Sequence, residues 1–340
     1  MDHILAIYDS EKKYVKKLAA YFERQNKMPF QIMAFDNMTK LIRFFGDKPA
    51  SVLLIDEESW ELSLKELAEQ TILLTDRKER ELLDSFMNDE EIPAVCKYQS
   101  GEAIAKKVLG ICAVAKAPIR PLYGAKSKTG KRAEVIGIYT PVKRSLQTSF
   151  ALTYSSLCAK SKKTLYLNFE VFSGFSVWFE REYSTDLMDL MYFLDGPSDK
   201  FLLKLAGMAE QFGGFHYIPP AISYEDFMLV KEHRWVQLIQ TIADKSDYER
   251  VILDLGDQMQ GLFGIFSLCD KIYTIYKSDG LAMAKVQAFE ETLRISKKED
   301  ILEKIIKCRL PVFKEIPQDA QRLTYSQLAD YIKNKLGEKF

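Results

Sequence analysis

The sequence predicts an α/β protein made of two doubly wound parallel-sheet domains, and three observations carry that expectation. Residues 1–113 alternate short apolar strand-like runs with amphipathic helix-like runs. Residues 114–134 lose this periodicity and collect prolines, glycines and cations. From residue 135 to residue 340 the alternation resumes. With 340 residues, 47% of them hydrophobic, the chain has enough apolar material for two cores.

In the first domain, 1–113, strands are expected at residues 3–8, 31–35, 51–56, 71–75 and 94–97, with helices at 11–24 and 101–109. Open sheets of this kind bind ligands beyond the carboxyl ends of their strands. Asp9, Asp56, Thr75 and Lys97 all stand at such ends, so they are expected along one rim. This arrangement resembles the receiver domain of response regulators. The resemblance implies that Asp9 and Asp56 form an Mg²⁺-binding acidic pocket, that Asp56 accepts phosphate, and that Thr75 and Lys97 sense it. Receivers place two adjacent acids after the first strand, whereas here Tyr8 and Ser10 flank Asp9. Fewer carboxylates then face a metal, and the pocket reads as a retained contact surface before a working phosphoacceptor.

Residues 114–134 read as a basic linker. They hold Lys116, Arg120, Lys126, Lys128, Lys131 and Arg132 with no acid before Glu134. A solvated tether is the expectation, although such charge also suits an acidic partner, lipid headgroups or nucleic acid.

The second domain, 135–340, has expected strands at 135–139, 164–169, 215–218, 251–255, 271–276 and 311–313, and helices that include 224–243 and 280–293. Its opening, VIGIYTPVKRSLQTSFALTYSSLCAK, has the outline of a phosphate-binding strand, loop and helix. A P-loop reads G-x-x-x-x-G-K-[ST], because glycines let backbone N–H groups curl around phosphate while the lysine neutralises it. With Thr148 in the hydroxyl position, Gln147 stands for the lysine and Leu146 and Pro141 for the glycines. Proline removes a donor, leucine adds a side chain where backbone must approach, and glutamine replaces a charge with an amide. Ordinary P-loop hydrolysis is therefore not expected. What remains is the basic turn with Lys143 and Arg144 and a helix start with Thr148 and Ser149 as candidate caps. Asp254, ending the run YERVILDLGD, and Glu170, ending TLYLNFE, are expected at the same rim.

Taken in order, VIGIYTP, KRSLQTSFAL, TLYLNFE, FHYIPPAISYEDF, YERVILDLGD and SLCDKIYTIYKSDGLAM resemble the MinD/ParA class of P-loop ATPases. The receiver-like first domain narrows the resemblance to the CpaE/TadZ-like proteins of Flp (Tad) pilus assembly. Members of the wider class bind ATP between two subunits through K-G-G-x-G-K-T, of which Val142 to Thr148 keeps only Thr148. The resemblance implies a localisation factor that dimerises and recruits pilus or secretion assembly proteins, in the cytoplasm or at the inner face of the membrane or a cell pole. No cofactor is required on this reading, although ATP with Mg²⁺ remains open at Lys143, Arg144, Gln147, Thr148, Ser149, Glu170 and Asp254. The alternatives are an ATP-binding dimeric switch with slow or no hydrolysis, in which Lys143 and Arg144 supply the missing charge, and a phosphorylation-regulated protein acting through Asp56.

Composition bounds these readings. Lys plus Arg equals Asp plus Glu at 48 each, so no whole-chain charge draws the protein to nucleic acid or membrane, and no basic recognition helix stands out. No signal peptide and no apolar run of the roughly 20 residues that span a bilayer is evident, which suggests a cytoplasmic protein. Five widely spaced cysteines in apolar stretches read as reduced core residues, and three isolated histidines lack metal-site spacing. Near the C-terminus Leu328, Ile332 and Leu336 fall at i, i+4, i+8 with Lys333, Lys335 and Lys339 beside them. Such a narrow stripe is expected to pack on its own domain in preference to a membrane.

Overall fold

The computed structural model describes residues 3–25, 28–46, 48–77, 92–115, 119, 132–314 and 320–336. The chain forms two compact units, one of Met1–Ala125 with Asp195–Met208 and one of Lys126–Leu194 with Ala209–Phe340.

The first unit holds a five-stranded parallel sheet of β1 (Ile4–Tyr8), β2 (Gln31–Phe35), β3 (Ala50–Asp56), β4 (Ala68–Thr75) and β5 (Ala94–Cys96) in the order β2-β1-β3-β4-β5. Every residue of β3 and nearly every one of β1 is buried, as strands covered by helices on both faces must be. The strand order reverses between β1 and β3, which places the crevice of an open sheet at the carboxyl ends that carry Asp9 and Asp56. Helix Met38–Phe45 starts where the Asn37 side chain accepts from Lys40 N–H, and it buries Leu41 and Phe45. Helix Gly101–Val114, capped by Ser100, runs five residues past the expected end at 109 because Cys112 and Ala113 continue its buried face. Helix Ser198–Met208 also belongs to this unit, away from its neighbours in sequence. Its Lys200 ammonium donates to Ala115 O at 2.9 Å, and a Cβ on Gly207 would lie 3.2 Å from Leu109 Cβ, so glycine there admits close helix approach.

The second unit holds a seven-stranded sheet of β6 (Glu134–Tyr139), β7 (Thr164–Asn168), β8 (Glu210–Phe212), β9 (Phe215–Tyr217), β10 (Arg250–Asp254), β11 (Lys271–Tyr276) and β12 (Ile305–Arg309), in the order β12-β11-β6-β10-β7-β9-β8. All neighbours run parallel except β8, which turns back on β9 through Gly213 and Gly214 at φ 53° and 88°. Helix Gln147–Cys158 is buried along nearly its whole length, because the sheet lies on one side and helix Gln327–Leu336 on the other. Leu328, Ala329 and Ile332 of that last helix face this core, as its narrow stripe suggests, while Lys339 lies outside the described residues.

Three features differ from the sequence reading. The last strand is Ile305–Arg309 and not 311–313; Pro311 has no N–H for a ladder, and Val312 is 98% exposed. The helix expected over 224–243 is two helices, Tyr224–Leu229 and Glu232–Lys245, broken where Val230 and Lys231 take extended backbone. Most of the basic linker, including Lys116, Arg120, Lys126, Lys128 and Lys131, lies outside the described residues. Its described cation, Arg132, is held by Asp270 at 3.1 Å and donates to Leu268 O at 2.9 Å, so it is engaged and not merely solvated. All five cysteines are free thiols, Cys96 half-buried and the other four buried. Among the described residues no helix is long and apolar enough to cross a membrane.

Candidate functional site

The loop between β6 and helix Gln147–Cys158 turns through left-handed backbone without a glycine. Arg144 and Leu146 both sit at positive φ, 59° and 66°, the left-handed region that costs a side-chain-bearing residue about 1 kcal/mol. By motif spacing back from Thr148, both stand where a K-G-G-x-G-K-T loop has glycine. The loop is pinned from within: Thr140 Oγ1 accepts from Val142 N–H at 3.0 Å and from the Ser145 hydroxyl at 2.9 Å. The helix starts at Gln147 with Leu146 as N-cap and no side-chain cap. Thr148 and Ser149, expected as caps, lie instead within the first turn, and Thr148 Oγ1 donates to Glu170 Oε2 at 3.4 Å.

Gln147 turns inward. Its amide donates to Asp254 Oδ1 and, at 3.0 Å, to Leu255 O. The second Asp254 oxygen accepts from Tyr166 OH at 2.8 Å and from Asn168 Nδ2 at 3.3 Å. Asp254 is fully buried at the end of β10, between Ile138 of β6 and Asn168 of β7 in register. Burial pushes its carboxyl up, and the Gln147 and Tyr166 donors pull it partly back. Glu170 is raised to about 7, first by burial and then by the charge of Asp254. A side chain expected only as an absent lysine is therefore the donor that satisfies a buried carboxylate. The signal was present in TLYLN, where Tyr166 and Asn168, two apart in a strand, share a face toward an acid that needs donors.

The cations of the loop do not fill the vacancy. Lys143 is ion-paired with Asp257, and Arg144 is exposed at the cavity edge with no ion-pair partner among the described residues. A cavity of about 260 Å³ is lined by Thr140, Arg144, Gln147, Thr148, Glu170 and Gly256. A second, of about 650 Å³, shares Leu146 with it and is lined by Lys277, Asp279, Arg309, Phe313 and Tyr331. Leu146, in the glycine position, thus stands between the two spaces. For Mg²⁺-ATP the fit is poor on the chemistry of the loop, which lacks the phosphate-binding lysine. The smaller space also offers Glu170 and Asp257 where phosphate charge would collect, and Gln147 is committed to Asp254.

In the first unit, three of the four expected rim residues, Asp9, Asp56 and Lys97, meet. Lys97 Nζ lies 3.9 Å from Asp9, 3.7 Å from Asp56 and 2.8 Å from Asp76. Asp9 and Asp56 are buried, with Ser59 donating to Asp56 Oδ2 at 3.1 Å and Glu11 N–H to Asp9 Oδ1 at 2.8 Å. Burial pushes the Asp9 carboxyl up. Although burial opposes the Lys97 charge, Asp76, Asp9 and Asp56 hold its ammonium above the ordinary lysine range. Thr75 is engaged elsewhere, donating to Glu57, whose other oxygen accepts from Arg77 at 2.6 Å. Glu57, Ser59, Asp76 and Arg77 were missed in the sequence; their trace is EES after Asp56 and DR after Thr75. An Mg²⁺ ion, which takes near-octahedral oxygen ligands and keeps several waters, does not suit this pocket: its two carboxylates are sealed and an ammonium sits within 4 Å of both.

Residues 1–113 match the family described as TadZ-like, receiver domain. Among curated proteins none matches the chain. The ParA family ATPase of Chlorobium tepidum is similar to 62% of this chain over 100% of its own, at 16% identity and a TM-score of 0.50. A chain of the MinC:MinD cell division protein complex of Aquifex aeolicus is similar to 61% of this chain over 97% of its own, at 14% identity and a TM-score of 0.44. Septum site-determining MinD of Pyrococcus horikoshii, complexed with Mg-ADP, covers 58% and 88%, at 13% identity and a TM-score of 0.41. Residues 1–113 are thus similar to a TadZ-like receiver domain, and the second unit has the fold of a ParA family ATPase.

Proposed function

We propose that this protein is a TadZ-type scaffold and localisation factor for pilus (Tad-type secretion) machinery, whose ATPase-like unit serves dimerisation and protein contact without nucleotide turnover. The observation that carries the reading is the Gln147 amide bonded to Asp254, in the place where a P-loop lysine would meet phosphate. An amide fully used inside the protein has nothing left to offer a developing negative charge, and hydrolysis depends on such electrostatic stabilisation. An exposed apolar face that begins two residues beyond Glu170 is suited to contact. Phe172 is 81% exposed and stacks on Tyr224 with ring centroids 6.2 Å apart, and Ile222 and Leu229 nearby are 70% and 74% exposed. A homodimer through this face, with other assembly proteins bound at the receiver-like unit, fits both features. Recruitment to a pole or to the membrane then runs through those partners.

One observation favours a second reading, an ATP-binding switch that does not cleave. The loop takes left-handed backbone at Arg144 and Leu146 despite its cost, and the 650 Å³ space beside it is large enough for a nucleoside. Sedimentation velocity with and without Mg²⁺-ATP separates the two. The scaffold reading expects a dimer that forms equally in both conditions; a dimer that assembles only with ATP would replace it with the switch.

A further inference from the structure

The geometry points to a self-ligated first unit, in which Lys97 serves as a tethered cation and Glu57 as a tethered anion, so that its rim holds one shape without a divalent metal or a phosphoryl group. This inference is independent of the proposed function, which rests on the second unit.

The cation half begins with two carboxylates that have no solvent. The Asp9 and Asp56 side chains are 0% and 3% exposed, and Asp9 Oδ2 has no hydrogen-bond partner. Buried carboxylates of this kind need a positive charge nearby. Lys97 Nζ supplies it from 3.9 Å and 3.7 Å, and is itself fixed from the outer side by Asp76 at 2.8 Å. Its stem comes from Lys97, whose backbone N–H is anchored to Thr75 O at 2.9 Å, immediately after β5. An incoming divalent ion must therefore displace a covalently attached charge whose effective concentration is high.

The anion half sits one residue further along. Glu57 directly follows Asp56, and its carboxylate takes the Thr75 hydroxyl on one oxygen and the Arg77 guanidinium on the other. Thr75 Oγ1 also accepts from Arg77 N–H at 3.1 Å and from Arg77 Nε at 3.4 Å. The hydroxyl has one proton to give and it is given, so a second anion arriving at Asp56 finds Thr75 occupied. Arg77 thus spans both members of the pair, with one guanidinium nitrogen on Glu57 and its Nε on Thr75, a charge-assisted hold on the carboxylate. The end of β4 is thereby latched to the end of β3 by residues of the chain alone.

Amide hydrogen exchange of the full chain, read at residues 56–59 and 75–77, tests both halves with Mg²⁺ and beryllofluoride as probes. In the wild type the Arg77 amide should exchange at the same rate, within about twofold, with and without the probes. In Glu57→Gln it should exchange about tenfold faster or more. In Lys97→Met, residues 56–59 should lose protection and regain it on adding Mg²⁺. The inference is overturned if the wild type gains tenfold protection from Mg²⁺ and beryllofluoride, if Glu57→Gln leaves the Arg77 amide unchanged, or if Lys97→Met stays protected and indifferent to Mg²⁺. Should Lys97→Met fail to fold, the wild-type and Glu57→Gln measurements decide.

Discussion

Replacing Gln147 by alanine should destabilise the second unit by roughly 2–4 kcal/mol, which is large for a residue in a surface loop-to-helix junction. The magnitude follows from what the amide does. It makes two hydrogen bonds, one to Leu255 O at 3.0 Å and one to the Asp254 carboxylate. The first is worth about 1 kcal/mol net and the second, to a charged acceptor, about 1.5–3 kcal/mol. Gln147 is 7% exposed, so water replaces the lost donor poorly. Asp254 keeps Tyr166 and Asn168 on its other oxygen, which holds the loss below the cost of stripping a buried carboxylate completely. Urea unfolding followed by tryptophan fluorescence reads this unit through Trp235, which is fully buried there. With a slope of about 2 kcal/mol/M, the midpoint should fall by about 1–2 M. A Gln147→Glu variant should be worse than alanine above neutral pH, because it sets a second carboxylate against Asp254. A loss under about 0.5 kcal/mol in Gln147→Ala would refute the claim that this amide is structural.

Two further outcomes follow from the same loop. Glu170 has a folded pKa raised from 4.5 to about 7. The folded state therefore binds the proton more tightly than the unfolded chain, and stability falls as pH rises from 4.5 through 7. With solvent screening this amounts to about 1–2 kcal/mol. Asp254, also raised, adds a slope of the same sign, so a Glu170→Gln variant should flatten the melting-temperature profile between pH 5 and 7 in part; an unchanged profile would remove Glu170 from the account. Arg144 is exposed at φ 59°, so Arg144→Gly should leave stability unchanged or raise it by up to about 1 kcal/mol in the same urea assay; a loss above 1 kcal/mol would mean that the arginine side chain holds the loop.

Much of this architecture was legible because buried parallel strands write themselves as continuous apolar runs. ILAIY, SVLLID and RVILD could scarcely be anything else, and the carboxylates that close them mark the rim. Periodicity failed where tertiary context overrode it. Pro311 to Phe313 is apolar enough for a strand, but the ladder to β11 is made by Ile305–Arg309, whose mostly exposed residues, Lys307 and Arg309 among them, suit an edge. The break at Val230 and Lys231 interrupts a run that keeps helical spacing through it, and no proline or glycine announces it. The site was half readable. A missing lysine and missing glycines show what the loop lost, and the motif spacing back from Thr148 puts Gln147 and Leu146 at those positions. What they do instead depends on long-range register: Gln147 reaches a residue 107 positions away, and Thr75 bonds Glu57 across two neighbouring strands. No local pattern encodes such partners, although the strand-end acids show that partners must exist.

Release of inorganic phosphate from Mg²⁺-ATP by the purified full chain is the measurement closest to the central claim. The scaffold account predicts no release above a no-enzyme control, and no change on Thr148→Ala. Sustained Mg²⁺-dependent release that disappears in Thr148→Ala would contradict it, because turnover would then be running through a loop whose amide is held by Asp254.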